Sequence, residues 1–248
     1  LTTRWGQGTP YRNQCPMING QRCVAGCVAT SMAQVMNYWQ HPAVLPALAA
    51  YVTSTEHISV PALPAESVEW WLMQDTYPQN SYGEEHADAV AMLMRYCGQA
   101  CKMDYGIASS GALPTNQLNA FKEFGYNSNI VLISRSNYAD NEWRGKLLDD
   151  LSQMRPVVYT GHGSSINHTF VIDGYDGSKF HINWGWNGYQ NGYYELDALT
   201  PIGLVPTDPQ EMICGLVPSS DSYNFDFIRN GIAYNILDEN SVAVARYN

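Results

Sequence analysis

The stretch Gly20–Trp39, "GQRCVAGCVATSMAQVMNYW", places two cysteines just ahead of a helical pattern. After Cys27 the apolar residues recur at helical spacing, and they are Val28, Met32, Val35, Met36 and Trp39. The pattern predicts an amphipathic helix that begins at Cys27 and is closed by Pro42. In the first turn of a helix, unpaired backbone N–H groups lower the pKa of a thiol. Cys27 is therefore a candidate nucleophile, and a buried structural thiol is the alternative.

Three further residues favour a catalytic interpretation of Cys27. Gln21 lies six residues upstream, where its side-chain N–H could bind a developing oxyanion. His168 opens a strand-like run, and Asn183 lies on the next one. Neighbouring strands would let Asn183 orient the imidazole of His168 toward the thiol. Cys27 and His168 are 141 residues apart, within the range of about 130–150 residues found in papain-like enzymes.

The secondary-structure pattern changes near Ile130. Before it, helices are predicted at Glu84–Cys97 and in "TNQLNAFKEFG", with Thr115 as N-cap and Gly125 as the C′ residue. After it, "PVVYTG", "TFVIDGYDG", "KFHINWGWNG" and "GYYELDAL" have the composition of antiparallel strands. Asp176-Gly177 predicts a tight turn between two of these strands. Helices first and sheet second predict an α+β fold with a cleft between the halves.

This pattern also suggests a domain organisation. Residues 1–217 are predicted to form one domain, mainly helical over 1–125 and mainly β over 126–217. Residues 218–248 are predicted to form a linker followed by the start of a further β segment, with two strands around Asp238-Glu239-Asn240.

Composition and charge exclude several classes of partner. The 248 residues carry 13 basic and 23 acidic side chains, a net charge of −10 that would repel nucleic acids and anionic lipids. No apolar run reaches the length of about 18 residues that a membrane span needs. No metal or cofactor is expected, because the two Cys-x-x-x-Cys pairs have a longer spacing than zinc knuckles. Pairing stays open for the cysteines other than Cys27, which are Cys15, Cys23, Cys97, Cys101 and Cys214.

Longer motifs carry a family resemblance. The runs "GCVATSMAQVMNYW", "RPVVYTGHGSSINHTFVIDGYDG", "FHINWGWNG" and "GYYELDAL", with "WGQGTPY" and "MDYG", resemble the streptopain family of cysteine proteases, which includes interpain. The resemblance extends from about Trp5 to Leu216. It implies a papain-like fold, with a helical left subdomain, an antiparallel β-sheet right subdomain and an active-site cleft between them. It also implies a secreted or cell-surface bacterial enzyme, made as a zymogen that its N-terminal pro-segment inhibits.

The same resemblance assigns catalytic roles. Cys27 matches the nucleophile and His168 the general acid/base. Asn183 matches the residue that orients the histidine, and the indole of Trp184 would shield that hydrogen bond. Gln21 matches the oxyanion-hole glutamine, which acts with the backbone N–H of Cys27.

The resemblance also gives an expected substrate-binding set, namely Val157, Tyr159, Gly163, Asn167 and Trp186. The first three lie where the family builds the wall of an apolar S2 pocket. Trp186 would line the primed side of the cleft. Ile166-Asn167 stand where the family has Gly-Gly before its catalytic histidine, so the rim of the cleft is expected to differ here.

The leading hypothesis is thus a cysteine endopeptidase that acts on protein substrates. The expected targets are proteins of the host in which the bacterium lives. Two alternatives share the sequence features. The same residues would serve an amidase or acyltransferase that spares protein backbones. A non-catalytic binding module would instead use the tyrosine- and tryptophan-rich surface for recognition.

Overall fold

The computed structural model describes residues 1–163, 166–205 and 207–219, and beyond them three strands at 226–229, 232–235 and 244–245. Four α-helices lie in the described part of the chain, namely α1 (Cys27–Trp39), α2 (Glu84–Ala100), α3 (Pro114–Glu123) and α4 (Asp140–Ser152). Short 3₁₀ helices span Trp70–Leu72, Arg135–Asn137 and Thr200–Ile202. Within the described ranges, no helix is both long and apolar enough to cross a bilayer.

Three groups of strands accompany these helices. The N-terminal half carries two-residue strands, namely β1 (Met17–Ile18), β2 (Gln21–Arg22), β3 (Val44–Leu45), β4 (Tyr51–Val52), β5 (Ser59–Val60) and β6 (Glu66–Ser67). The main sheet consists of β7 (Val131–Ser134), β8 (Val157–His162), β9 (Asn167–Tyr175), β10 (Phe180–Asn183), β11 (Gly192–Tyr194) and β12 (Gln210–Cys214). A small separate sheet contains β13 (Asp226–Arg229), β14 (Ile232–Asn235) and β15 (Val244–Ala245).

The main sheet is antiparallel throughout, with the strand order β11-β10-β9-β8-β12-β7. It separates two hydrophobic cores, because successive side chains of a strand point to opposite faces. Val158 of β8 and Val171 of β9 belong to the core shared with α1, α2 and α3. Val157 and Ile172 belong to the second core, which α4 covers. This two-part arrangement confirms the predicted α+β fold.

Three helices were predicted, with small differences at their ends. α1 has the expected bounds, and α2 begins at Glu84 as expected but continues to Ala100. α3 begins at Pro114 rather than after Thr115, because the fixed φ of proline suits the first helical position. Gly125 follows its C-cap with φ of +80°, as expected for a C′ glycine.

Helix α4 was not predicted, and the region after Ile130 was expected to be mainly β. Most of its side chains are polar, and its buried apolar anchors are Trp143 and Leu147, one turn apart. So few buried apolar residues give a weak periodic signal. The Asp176-Gly177 turn is confirmed, since β9 ends at Tyr175 and the backbone N–H of Asp176 donates to the carbonyl of Lys179.

The predicted boundary between residues 125 and 126 falls between α3 and β7. In the C-terminal segment, β14 and β15 pair antiparallel. The turn predicted at Asp238-Glu239-Asn240 lies outside the described residues. The predicted division into a 1–217 domain and a further segment stays a prediction.

Candidate active site

Cys27 is the first residue of α1, and a constrained glycine precedes it. Gly26 has φ of +87°, and a Cβ at this position would lie 2.8 Å from the carbonyl oxygen of Ser110. Both the backbone angle and the close approach therefore require glycine. The hydroxyl of Ser110 donates to the carbonyl of Val24 at 2.8 Å, which ties the approaching chain to the neighbouring loop.

Buried hydrogen bonds hold the first turns of α1. The hydroxyl of Thr30 donates to the carbonyl of Gly26 at 3.0 Å. The amide of Gln117, on α3, donates to the carbonyl of Val28 and to the hydroxyl of Ser31, both at 3.0 Å. The position of Cys27 is thus fixed from inside the helical half.

The thiol of Cys27 is half-buried, and its environment favours the neutral form. Burial raises its pKa, while N–H groups of Thr169 and Val28 and the hydroxyl of Thr169 act in the opposite direction. The sequence suggested a pKa lowered by the helix start, but desolvation outweighs that effect here. In this arrangement the thiol is protonated at neutral pH.

His168 lies on β9 with only 2% of its surface exposed. Its ring packs against the rings of Phe170, Trp184 and Trp186, with centroid distances of 6.2, 6.1 and 4.8 Å. Its Nε2 lies 2.7 Å from the carbonyl oxygen of Trp184. A carbonyl only accepts, so Nε2 carries the hydrogen and the lone pair of the neutral imidazole is on Nδ1.

The pKa of His168 follows from this burial. Desolvation lowers it to about 4, although the carbonyl of Trp184 acts in the opposite direction. The imidazole is therefore neutral at pH 7. Its Nδ1 lone pair is the atom that could accept a proton from a thiol.

The two predicted catalytic groups are not hydrogen-bonded to each other in the part of the chain that the structure describes. Alternation along β9 directs the side chains of His168 and Thr169 to opposite sides of the strand. Thr169 is the β9 residue whose N–H and hydroxyl approach the Cys27 thiol. The nucleophile therefore meets β9 one residue after the histidine.

Asn183, which was predicted to orient His168, makes its hydrogen bonds with other groups in the described part of the chain, and its orienting role stays a prediction. The Nδ2 of Asn183 donates to the carbonyl of Thr3 at 2.7 Å and to Oε1 of Gln34 at 2.9 Å. Its side chain thus points toward α1 and the N-terminal segment. The oxygen that meets Nε2 of His168 belongs to the next residue, Trp184.

Trp184 contacts the histidine through both its indole ring and its backbone. Its indole is fully buried and stacks on Trp186, with centroids 5.4 Å apart and ring planes at 16°. Its backbone carbonyl is the partner of His168. Trp186 is half-buried and makes the shortest ring contact with His168.

Gln21 lies at the start of β2, in a hairpin with β1, and its side chain is exposed. Its amide has no hydrogen-bond partner among residues 1–163, 166–205 and 207–219. It is therefore available to a ligand, and its oxyanion-hole role stays a prediction.

Two residues of the predicted S2 wall, Val157 and Tyr159, are fully buried in the second core. Their contact with substrate stays a prediction. The hydroxyl of Tyr159 accepts from Nε1 of Trp143 at 3.0 Å and donates to Oε1 of Gln210. Alternation along β8 explains this placement, since both residues lie on the α4 side of the sheet.

Two other predicted substrate-binding residues flank the β8–β9 connection. Gly163 packs so closely on the carbonyl of Ile202 that no side chain would fit there. Asn167 is exposed at the start of β9 and pairs with His162. Their contacts with substrate, like those of Trp186, stay predictions.

Sequence reasoning missed Gln34 and Thr169. Gln34 is fully buried on α1, where it accepts hydrogen bonds from Asn183 and from the backbone N–H of Trp5. The available signal was a glutamine among apolar residues, seven positions after Cys27. All six cysteines are free thiols, so none of the disulfide pairings that the sequence left open is formed in this structure.

Comparisons with known proteins identify the family of this chain. Residues 5–194 match the model of the peptidase C10 family. Streptopain of Streptococcus pyogenes is 34% identical over 220 residues, which cover 81% of this chain and 55% of that protein. The thiol protease/hemagglutinin PrtT of Porphyromonas gingivalis is 32% identical over 231 residues, covering 88% of this chain and 26% of that protein.

Solved structures show the same fold. Active wild-type interpain A cysteine protease of Prevotella intermedia has a TM-score of 0.74 at 33% identity, covering 86% of this chain and 92% of that one. A prointerpain A fragment from the same organism has a TM-score of 0.76 at 33% identity, covering 88% and 71%. These matches confirm the predicted papain-like fold. The chain spans about half the length of streptopain, and it belongs to the peptidase C10 family.

Proposed function

We propose that this chain is a cysteine endopeptidase in which Cys27 is the nucleophile and His168 the general acid/base. The observation that carries the proposal is that both candidate groups lie at one junction of α1 and β9. Cys27 begins the helix, and His168 lies beside the strand residue that meets its thiol. The family membership of the chain supports the same reaction.

Catalysis requires Nδ1 of His168 to reach the Cys27 thiol. While the thiol and the imidazole are apart, burial keeps both neutral. When they are in contact, proton transfer from sulfur to Nδ1 gives a thiolate–imidazolium pair, in which each charge stabilises the other. We therefore infer that a movement of the His168 side chain or of β9 precedes the reaction.

The reaction then follows in two steps. The thiolate attacks the scissile carbonyl carbon, and the oxyanion is bound by the N–H of Cys27 and the amide of Gln21. The C–N bond breaks as His168 gives its proton to the leaving amine. Water, deprotonated by His168, hydrolyses the thioester and restores the thiol.

We propose an apolar preference in the S2 pocket, with Ile107 as a further residue of its wall. Ile107 is 37% exposed in the loop that lies beside the segment before Cys27. The carbonyl of Gly106 in this loop accepts from the N–H of Val24 at 3.1 Å. Gly163 and Asn167 would border the opposite rim, and Trp186 the primed side.

The proposed substrates are proteins and peptides, and the proposed setting is secreted or cell-surface, with a role in virulence. The net charge of −10 makes nucleic acids and anionic membranes unfavourable partners. We also propose a zymogen stage with an inhibitory N-terminal pro-segment, which the prointerpain A fragment supports by its name.

The test is intact mass after treatment with an epoxysuccinyl-peptide inhibitor, followed by peptide mapping, with casein hydrolysis in parallel. We expect one adduct, on Cys27, that is absent from Cys27→Ala and retained in Cys214→Ala, which removes a free thiol elsewhere. His168→Ala should reduce casein cleavage by about 10²–10⁴-fold. Labelling without casein cleavage would favour an amidase or acyltransferase, and an unlabelled Cys27 would contradict nucleophilic catalysis.

A further inference from the structure

We propose that Gln34 and Asn183 are positioning residues, which aim the carbonyl of Trp184 at the catalytic histidine and so link the helix of the nucleophile to the general base. The inference rests on the proposed function. It concerns five hydrogen bonds among buried groups.

The first step concerns one peptide unit. The carbonyl of Trp184 and the N–H of Gly185 belong to the same planar peptide group, so fixing one end fixes the other. The carbonyl oxygen lies 2.7 Å from Nε2 of His168. The N–H of Gly185 donates to Oδ1 of Asn183 at 3.2 Å. The side chain of Asn183 therefore holds the peptide group whose carbonyl contacts the imidazole.

The second step concerns what holds Asn183. Its Nδ2 donates to the carbonyl of Thr3 and to Oε1 of Gln34, at 2.7 and 2.9 Å. The side chain is 1% exposed and uses both its oxygen and its nitrogen. Its orientation therefore depends on its two acceptors, of which only Gln34 is a side chain.

The third step concerns Gln34 itself. It lies on α1, two turns after Cys27, and it is fully buried. Its Oε1 accepts from Asn183 and from the backbone N–H of Trp5, whereas its Nε2 has no partner in the described ranges. A buried amide nitrogen without a partner is costly. The two hydrogen bonds that Oε1 accepts therefore account for the position of the Gln34 side chain.

The loop also presses directly on this face of α1. Gly185 has φ of +72°, and a Cβ there would lie 3.1 Å from Cγ2 of Thr30. Thr30 and Gln34 are four residues apart and share one helix face. The helix that presents the nucleophile therefore also supports the peptide that holds the base.

The chemical consequence concerns the charged histidine. A carbonyl that accepts from Nε2 stabilises the imidazolium and so raises the pKa of His168. A hydrogen bond to the N–H end of a peptide polarises its carbonyl and strengthens it as an acceptor. Loosening the network should destabilise the imidazolium of the catalytic pair. The alkaline limb of the pH–rate profile, where that imidazolium loses its proton, should move to lower pH.

The test is the pH profile of kcat/KM on a peptide substrate for Gln34→Met, which is nearly isosteric but accepts no hydrogen bond of comparable strength. We expect kcat to fall about tenfold or more with KM little changed, and the alkaline limb to move to lower pH. Gln34→Glu keeps an acceptor facing Asn183, and its carboxylate favours the imidazolium, so that limb should not move to lower pH.

Gln99→Met is the matched control. Gln99 is also a fully buried glutamine, whose Nε2 donates to the carbonyls of Ala49 and Pro61 at 3.0 Å, away from this site. It should lose stability without any shift of the alkaline limb. If Gln34→Met does not fold, Gln34→Asn, which keeps a polar group but withdraws it from Asn183, must show the shift.

An unshifted alkaline limb in the Gln34 variants, or the same loss of kcat in Gln99→Met, would overturn the positioning role. The outcome is separable from a failure of the proposed function. If the proposed function fails, the wild-type chain itself lacks peptidase activity and Cys27 labelling. If only the positioning role fails, the wild type is active and the Gln34 variants do not differ from it as expected.

Discussion

The two sides of the candidate site are held in different ways. The Cys27 side is fixed by backbone: Gly26 has a left-handed φ, and the first turns of α1 are tied by buried hydrogen bonds. The His168 side is fixed by packing of aromatic rings and by one carbonyl. Backbone constraints leave Cys27 little freedom to move, whereas the side chain of His168 can change its rotamer. We infer that the histidine side is the one that moves when the pair forms.

The largest expected effect comes from Gly26→Ala. Gly177→Ala is the matched control, because Gly177 also has positive φ, +100°, but no atom lies within 4 Å of its Cβ position. A positive φ alone should cost about 1–2 kcal/mol in free energy of unfolding. At Gly26 the approach to the Ser110 carbonyl adds to this, for a total of about 3–4 kcal/mol. Urea unfolding of both variants measures the difference, and equal losses would contradict the constraint.

The second effect concerns pH and tests the burial of His168. Its folded pKa, about 4, lies below the ordinary value of 6.5. The unfolded chain therefore binds the proton first, so stability is lost as the pH falls from about 6.5 toward 4. The loss from this group should be roughly 2.5 kcal/mol between pH 7 and pH 4.5. Urea unfolding at both pH values should show it in the wild type and not in His168→Gln, and parallel losses would contradict the assignment.

The third effect tests whether Tyr159 is a core residue. Tyr159→Phe removes the hydroxyl between Trp143 and Gln210 and leaves the indole N–H without its partner. The free energy of unfolding should fall by about 2 kcal/mol, with KM for peptide substrates unchanged. The exposed Tyr189 offers a control, since Tyr189→Phe should change neither quantity. A raised KM in Tyr159→Phe would support the predicted S2 wall.

The smallest effect is expected at Ser110, whose hydroxyl joins the loop beside the nucleophile to Val24. Ser110→Ala should reduce the free energy of unfolding by about 1 kcal/mol, the usual contribution of one such hydrogen bond. Thermal unfolding measures it. No change would contradict a stabilising role for this hydroxyl beside Cys27.

The positions of Cys27 and His168 could be predicted from the sequence, because a helical period and long motifs identify them. The groups that meet them could not. A side chain of a strand changes face when the register moves by one residue, so the sequence alone could not show that Val157 and Tyr159 face the second core. The partner of His168 is a backbone carbonyl, which no side-chain pattern encodes. Helix α4 was missed because few of its residues are apolar.

The most direct test of the catalytic pair is the rate of Cys27 alkylation by iodoacetamide as a function of pH, followed by peptide mapping in wild type and His168→Ala. A thiolate paired with an imidazolium reacts well below the ordinary thiol pKa of about 8.5. We predict such reactivity near about pH 6 in the wild type and its loss in His168→Ala. If both proteins instead follow one titration above about pH 8, Cys27 and His168 do not form a pair, and the proposed mechanism is contradicted.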